Sequence, residues 1–573
     1  MSQVMRSRWF VVFASMVVMA ASGAGYIFAL YSKELRSTMG YNQQTLNTLS
    51  FFKDLGASVG IVSGLVHEVA PTWALLLIGA GMNLWGYLMI YLALTARIKP
   101  PHLRLMCLYI CVGTNGLTFA QTGALVSCVK NFPESRGIVL GLVKGFIGLS
   151  GAIFTELYLS IYGDNANSLV LLIAWLPAVV YIIFMRSIRV VPYAARRDGE
   201  LGDDKKPFFQ ILYISIILAA FLVIMIILQK MVQFSHAAYI VGATALLIIL
   251  FLPLGVVIRT EYKAASLLQP SSLQEPPSIT IDAPAASGGI LGCFTDLFKP
   301  PTLGDDYSIL QALVSLEMLV LFAVSAFGIG GTVTAIDNMA QIGQSLGYHS
   351  KSIKTFVSLV GIWNFAGRVG AGYLSDVLLL RYRFPRPLAL TAVLLVSCFG
   401  HLLIAFGVPQ SLYAASVIIG FCLGAQFPLL LSIISEVFGL KYYSTLFNFG
   451  SMSIPLGSYL LNVRVVGHMY DAEAAKQHGG AGVAGAKICM GVACFKHGFL
   501  IITAVTFVSA LVSLVLYWRT KGFYKDIEGK FKVTRAMAAD GRDRSVETVM
   551  GMEASALPDK EQEARAKTQT RTN

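Results

Sequence analysis

The stretch Trp363–Arg386, WNFAGRVGAGYLSDVLLLRYRFPR, joins an apolar, glycine-rich run to a cluster of arginines. Gly361, Gly367, Gly370 and Gly372 would let a neighbouring helix approach closely inside a membrane. Arg381, Arg383 and Arg386 mark the end held on the cytoplasmic side. Between the two lies Gly372-x-x-x-Asp376, an acid at a helix mouth beside basic loop residues. Those are the parts of a breakable charged latch, with Arg368 and Asp376 eight residues apart on one helix.

The rest of the chain gives this stretch its setting. Of 573 residues, 55% are hydrophobic and 13% charged, with a mean hydropathy of +0.67. Soluble chains carry about a quarter charged residues. Apolar runs of about 20 residues match a bilayer core of ~30 Å, so the lipid bilayer is the expected partner of most of the surface. A formal net charge of +13 would suit nucleic acid. The Lys and Arg sit instead in short loops and the C-terminal tail, with no basic face interleaved with aromatics, which excludes nucleic-acid binding.

Taken in order, the chain is expected to form an N-terminal six-helix bundle over residues 1–187, the first span being Trp9–Tyr31 and the second Thr45–Val66. A basic cytoplasmic linker follows over 188–207, then two additional membrane helices over 208–258. A Pro- and Ser-rich cytoplasmic loop occupies 259–308. The second six-helix bundle covers 309–518, and a polar tail over 519–573 is expected to be disordered. Fourteen spans put both termini in the cytoplasm and most basic loops with them. Arg97, Lys99 and Arg104 fall on the other side and are outvoted.

An internal repeat runs through this plan. Gly64-x-x-x-Glu68 returns as Gly372-x-x-x-Asp376, 308 residues later. Ala120-Gln121 returns as Ala425-Gln426, 305 later, and Phe132 as Phe438, 306 later. Both copies enter from the same side, which makes the repeat parallel. The loop motif resembles that of the major facilitator superfamily. The run Glu436–Leu460, EVFGLKYYSTLFNFGSMSIPLGSYL, with Phe51-Phe-Lys-Asp-Leu-Gly, Asn131-Phe-Pro-Glu-Ser-Arg-Gly and Thr334-Ala-Ile-Asp-Asn-Met, is similar to the plant nodulin-like branch, including its nuclear-fusion-defective type. That resemblance spans about Arg8 to Lys532. It implies an all-α, multi-pass transporter fold distantly similar to oxalate–formate and monocarboxylate carriers. The first copy of the loop motif, ending Glu68-Val-Ala-Pro-Thr, lacks the basic cluster, which weighs against a symmetrical gate.

Ionisable groups inside a span cost roughly 2.5–3.5 kcal/mol each at a helix centre and so nominate themselves for a pathway. Lys53 falls on the stripe of Gly56, Gly60 and Gly64, with Asp54 turned about 100° away. Lys144 shares the stripe of Gly137, Gly141, Gly145 and Gly148 and would attract an anion or pair with a carboxylate; plain helix packing is the competing reading. Asn115 and Gln121, with Gln426 and Asn448 in the second half, are candidate hydrogen-bonding groups for a substrate. Glu156 and Glu317 join Asp54 as candidate proton carriers. Gly64, Glu68, Arg368, Gly372, Asp376 and Arg381 are assigned to gating, while His401 and Glu436, near helix ends, are read as solvated or capping groups.

No His-Glu-x-x-His helix or phosphate-binding loop is present, so an enzyme, a cofactor and a metal site are not expected. Cys489 and Cys494 share a loop placed outside the cytoplasm and are a candidate disulfide, ahead of a metal site with His468, His478 and His497. The expected protein is a monomeric secondary transporter of a small polar or anionic metabolite, coupled to protons, in the plasma membrane or an endomembrane such as the vacuolar one. A non-transporting receptor or scaffold of the same fold is the alternative.

Overall fold

The computed structural model describes residues 4–23, 28–39, 41, 43–163, 166–191, 205–232, 234–266, 301–477 and 489–555. The first bundle comprises α1 (Arg8–Ala21), α2 (Phe28–Met39), α3 (Gln43–Ser58), α4 (Ile61–Val69), α5 (Thr72–Leu94), α6 (Leu103–Asn131), α7 (Arg136–Tyr162) and α8 (Ala166–Phe184). Two further helices follow, α9 (Lys205–Met231) and α10 (His236–Ser266). The second bundle holds α11 (Ile309–Val314), α12 (Leu316–Asp337), α13 (Met339–Ser345), α14 (Ser350–Tyr382), α15 (Arg386–Phe406), α16 (Ser411–Val437), α17 (Tyr443–Ser458), a π-helical stretch Tyr459–Gly467, α18 (His468–Gln477) and α19 (Ala493–Ser555). Eleven helical stretches among the described residues are long and apolar enough to cross a membrane. Most of the Pro- and Ser-rich loop and of the basic linker lies outside the described residues.

Several expected spans are divided. The first becomes α1 and α2, and the second breaks at Val59–Gly60. The ninth is interrupted at Ser315, whose hydroxyl caps α12 by accepting from the Met318 N–H at 3.2 Å. The thirteenth passes from α17, which contains Pro455, into the π-helix, as a helix does where a ladder hydrogen bond is missing. Beyond it, α18 occupies the first part of what the sequence suggests is a loop. The last helix does not stop at Trp518 but runs on to Ser555, so the tail begins as helix.

Within each bundle small residues set the spacing. A Cβ on Gly86 would lie 2.6 Å from the Gly113 Cα, so α5 and α6 touch backbone to backbone there. The extra helices rest mainly on the first bundle. Phe208 packs against Trp9 at 4.7 Å and Phe132 at 5.1 Å, and Phe251 meets Phe13 at 5.7 Å. Toward the second bundle, α9 places Phe209 on Tyr373 at 4.9 Å.

The bundles meet along two seams. In one, α7 crosses α14; in the other, α3 and α4 face α17. The two partners in each seam come from opposite copies of the repeat, as a parallel two-fold arrangement requires.

Candidate functional site

The end of the molecule carrying the basic loops is closed by charge. The Asp376 carboxylate, at the end of α14, accepts the backbone N–H groups of Gly137 at 3.1 Å and Ile138 at 2.8 Å. These belong to the first turn of α7, where N–H groups have no partner within the helix and the dipole favours an anion. Arg386 Nη2 bridges to Asp376 at 2.5 Å, and Arg386 Nε donates to both oxygens of Glu436 at 2.8 and 2.9 Å. Tyr524 donates its hydroxyl to Glu436 at 3.0 Å. All four side chains are buried. The seam is close because Gly137 and Gly372 face each other; a Cβ on Gly137 would sit 2.6 Å from the Gly372 carbonyl oxygen.

The second seam repeats the device without the cation. Glu68, at the end of α4, accepts hydroxyl hydrogen bonds from Ser444 and from Thr445 (3.2 Å), in the first turn of α17. Gly64 allows this approach, since a Cβ there would meet the Thr445 Cα at 2.7 Å. Asn448 donates to Thr122 across the same seam at 3.1 Å, and Thr122 bonds Ser63 at 2.8 Å. Both loop-motif acids thus meet the start of a helix in the opposite bundle. The missing basic cluster in the first copy makes the cationic arm one-sided, not the acid.

Two cations converge above the Asp376 network. Arg368 Cζ lies 4.7 Å and Lys144 Nζ 6.0 Å from the centroid of the Phe427 ring. Arg368 is oriented by Asn364 Oδ1, 2.8 Å from its Nε, and by the Lys144 carbonyl, 2.9 Å from its Nη1. It therefore belongs to the interior and not to the gate assigned from sequence. The half-buried Lys144 ammonium has neither an ion pair nor a hydrogen bond among the described residues. An apolar groove of about 300 Å³ between α12 and α19, lined by Phe327, Ala504 and Val508, lacks such chemistry.

Toward the opposite end, Lys53 pairs with Asp54 at 3.0 Å and lies 5.3 Å from the Phe28 ring centroid. In the other bundle Asp337, at the end of α12, accepts Asn462 Nδ2 at 3.5 Å. Nearby, Phe51 approaches Tyr459 across the seam at 6.3 Å.

Several expected site residues have other work. Asn115 donates to the carbonyls of Gly56 and Val59, at 2.9 and 2.8 Å, and so satisfies groups at the α3–α4 break. Gln121 donates to Ser22 at the end of α1, and the fully buried Gln426 bonds back to Cys422 in its own helix. Glu156 turns away from the bundle interface and accepts Gln229 Nε2 of α9 at 2.8 and 2.9 Å. Glu317 binds Arg519 at 2.7 Å at the basic end. Arg381 is exposed beside Tyr382 and leaves the bridging to Arg386. Glu436 and His401 are buried, Glu436 in the gate network and His401 in the apolar interior near Phe499, 6.3 Å between centroids. Cys489 and Cys494 are joined in a disulfide, their Cα atoms 5.9 Å apart.

Sequence reasoning missed Tyr524, Phe427 and Asp337, and it set Arg386 among the basic residues of the latch without singling it out as the partner of Asp376. One of these had a signal: Asp337 lies inside the family-like Thr334–Met339 motif. An offset of 307, within one residue of the 308 that separates Glu68 from Asp376, also relates Gly137 and Ile138 to Ser444 and Thr445.

Two six-helix bundles in parallel repeat, meeting at a polar seam and latched at one end by carboxylates on helix starts, define a membrane protein of the major facilitator fold. The proton:xylose symporter XylE bound to 6-bromo-6-deoxy-D-glucose superposes with a TM-score of 0.52 at 11% identity, covering 90% of this chain and 96% of that one. Residues 8–258 match the Nodulin-like family and residues 305–526 the family described as NFD4, C-terminal domain. Each half of the chain is thus similar to one of these two families. Protein NUCLEAR FUSION DEFECTIVE 4 of Arabidopsis thaliana is 26% identical over 538 residues, 91% of this chain and 90% of its own. Probable transporter MCH1 of Yarrowia lipolytica is 26% identical over 188 residues, 30% of this chain and 36% of its own.

Proposed function

We propose that this protein is a secondary transporter of a small organic anion, moved by rocking the two bundles about a site between them. One observation carries the reading: the Lys144 ammonium, without an ionic partner among the described residues, faces Arg368 across the rim of Phe427. An interior ammonium beside a guanidinium attracts an anion, and a carboxylate supplies it with the ring as an apolar floor. The guanidinium gives the directional donors and the ammonium a point charge.

On this reading both termini and the basic loops are cytoplasmic, in the plasma membrane or an endomembrane, and the structure is a cytoplasm-closed state with its site turned outward. Proton coupling falls to the Lys53–Asp54 pair with Asp337, since Glu156 and Glu317 have partners away from the seam. The test is uptake of small carboxylates into vesicles holding the pure protein under an imposed pH gradient. Saturable, gradient-dependent flux that Lys144→Ala abolishes is expected. Absence of flux for any carboxylate would favour the receptor or scaffold role.

A further inference from the structure

The C-terminal helix passes the apolar run and folds its next two turns against the closed end of the seam. Arg519 binds Glu317 at 2.7 Å. Phe523 packs on Gly304, whose N–H donates to the Val437 carbonyl at 2.9 Å. Tyr524, only 5% exposed, bonds Glu436. Alongside, Asp306 accepts the N–H groups of Leu440 and Lys441 at 2.9 and 3.0 Å, and Tyr307 meets Phe438 edge to face at 5.3 Å. The end of α16 is thereby held on both sides by segments outside the six-helix repeat.

We propose that Tyr524 makes the C-terminal helix a working part of the gate, as a positioning residue that holds Glu436 on Arg386 and, through Arg386, Asp376 on the start of α7. The chain of bonds is continuous: Tyr524 hydroxyl to Glu436, Glu436 to Arg386 Nε, Arg386 Nη2 to Asp376, and Asp376 to the Gly137 and Ile138 amides. One guanidinium stands between two carboxylates, so the network carries a surplus negative charge. The α7 N-terminus at one side and the Tyr524 hydroxyl at the other help to offset it. Arg136 adds a nearby positive charge while its own Nη1 donates to the Ser435 carbonyl at 2.6 Å. Removing the hydroxyl frees the Glu436 oxygen it engages and lets the guanidinium shift toward that carboxylate. Whatever moves the C-terminal helix, a partner or a covalent change, then sets how readily the basic end opens. This inference does not depend on the identity of the transported anion.

Hydrogen exchange reads it directly. The Gly137 and Ile138 amides lie in a helix first turn, so Asp376 supplies their protection, and their exchange reports gate opening. In Tyr524→Phe, full chain in lipid nanodiscs, these two amides should exchange about tenfold faster, the loss of one hydrogen bond to a charged group. Asp376→Asn should speed them further, and Tyr524→Phe added to Asp376→Asn should change nothing more. Glu436→Gln, which keeps the shape, should behave as Tyr524→Phe does. Wild-type exchange in both Tyr524→Phe and Glu436→Gln, or equal effects of Tyr524→Phe with and without Asp376→Asn, would overturn the proposal.

Discussion

Gly137→Ala should hold the basic end open. The new methyl would lie 2.5 Å from Asp376 Oδ1, 2.6 Å from Arg386 Nη1 and 2.6 Å from the Gly372 carbonyl oxygen. Ordinary carbon contacts lie near 3.5 Å, so the seam must part by about 1 Å. None of the three neighbours can give way alone. One is backbone, and the other two are members of a buried ion pair. Overpacking costs about 1–3 kcal/mol, and stretching the Asp376 bonds to α7 adds about 1 kcal/mol more. A penalty of about 2–4 kcal/mol on the closed state alone lowers the closed-to-open ratio roughly 30- to 1,000-fold. Spin labels at Glu134 and Arg381, exposed at the same end on opposite bundles, measure the separation without any substrate. A population of longer distances is expected. A distance distribution like that of the unmutated protein would refute the argument, because it would mean that the seam tolerates a methyl group where the structure leaves no room.

The remaining predictions concern charge and the outer loop. Lys144→Ala should abolish anion uptake while leaving the thermal unfolding midpoint within a few degrees, and Lys144→Arg should restore little, since a planar fork does not replace a compact ammonium. Glu317→Gln should leave the pH dependence of uptake unchanged but lower stability by about 1 kcal/mol, the scale of a half-exposed ion pair with Arg519. Glu156→Leu should loosen α9 from α7, seen as faster proteolysis or exchange in 205–231, with uptake affinity retained. Replacing both Cys489 and Cys494 by serine should cost no more than ~2 kcal/mol, because the loop closed is short.

The spans and the parallel repeat were legible in the sequence because both are properties of spacing. Hydropathy measures length against the bilayer, and Gly372 and Asp376 keep their offset from Gly64 and Glu68 whatever the side chains touch. Partnership was not legible. Lys144 and Glu156 lie on the same helix and look equally costly, yet one faces Arg368 and the other faces Gln229 in a helix outside the repeat. Burial penalises a charge wherever it points, so the penalty cannot say which neighbour relieves it. Arg386 was named with the latch but not singled out from Arg381 and Arg383, for a different reason. Set between Pro385 and Pro387 in a basic run, it reads as loop, but it is the first residue of α15 and is aimed back into the seam. The helix breaks share this cause, since Asn115 satisfies the carbonyls at one break from 56 residues away or more.

The unequal seating of α9 and α10 has a mechanical consequence. They add two membrane-crossing cylinders to one rocking body, while Phe209 on Tyr373 gives that added mass a foothold on the other. Viscous drag in a lipid sheet grows with the size of the moving disc. In the rocking cycle proposed above, the six-helix body would be the lighter rotor in the frame of the membrane and would swing through the larger arc.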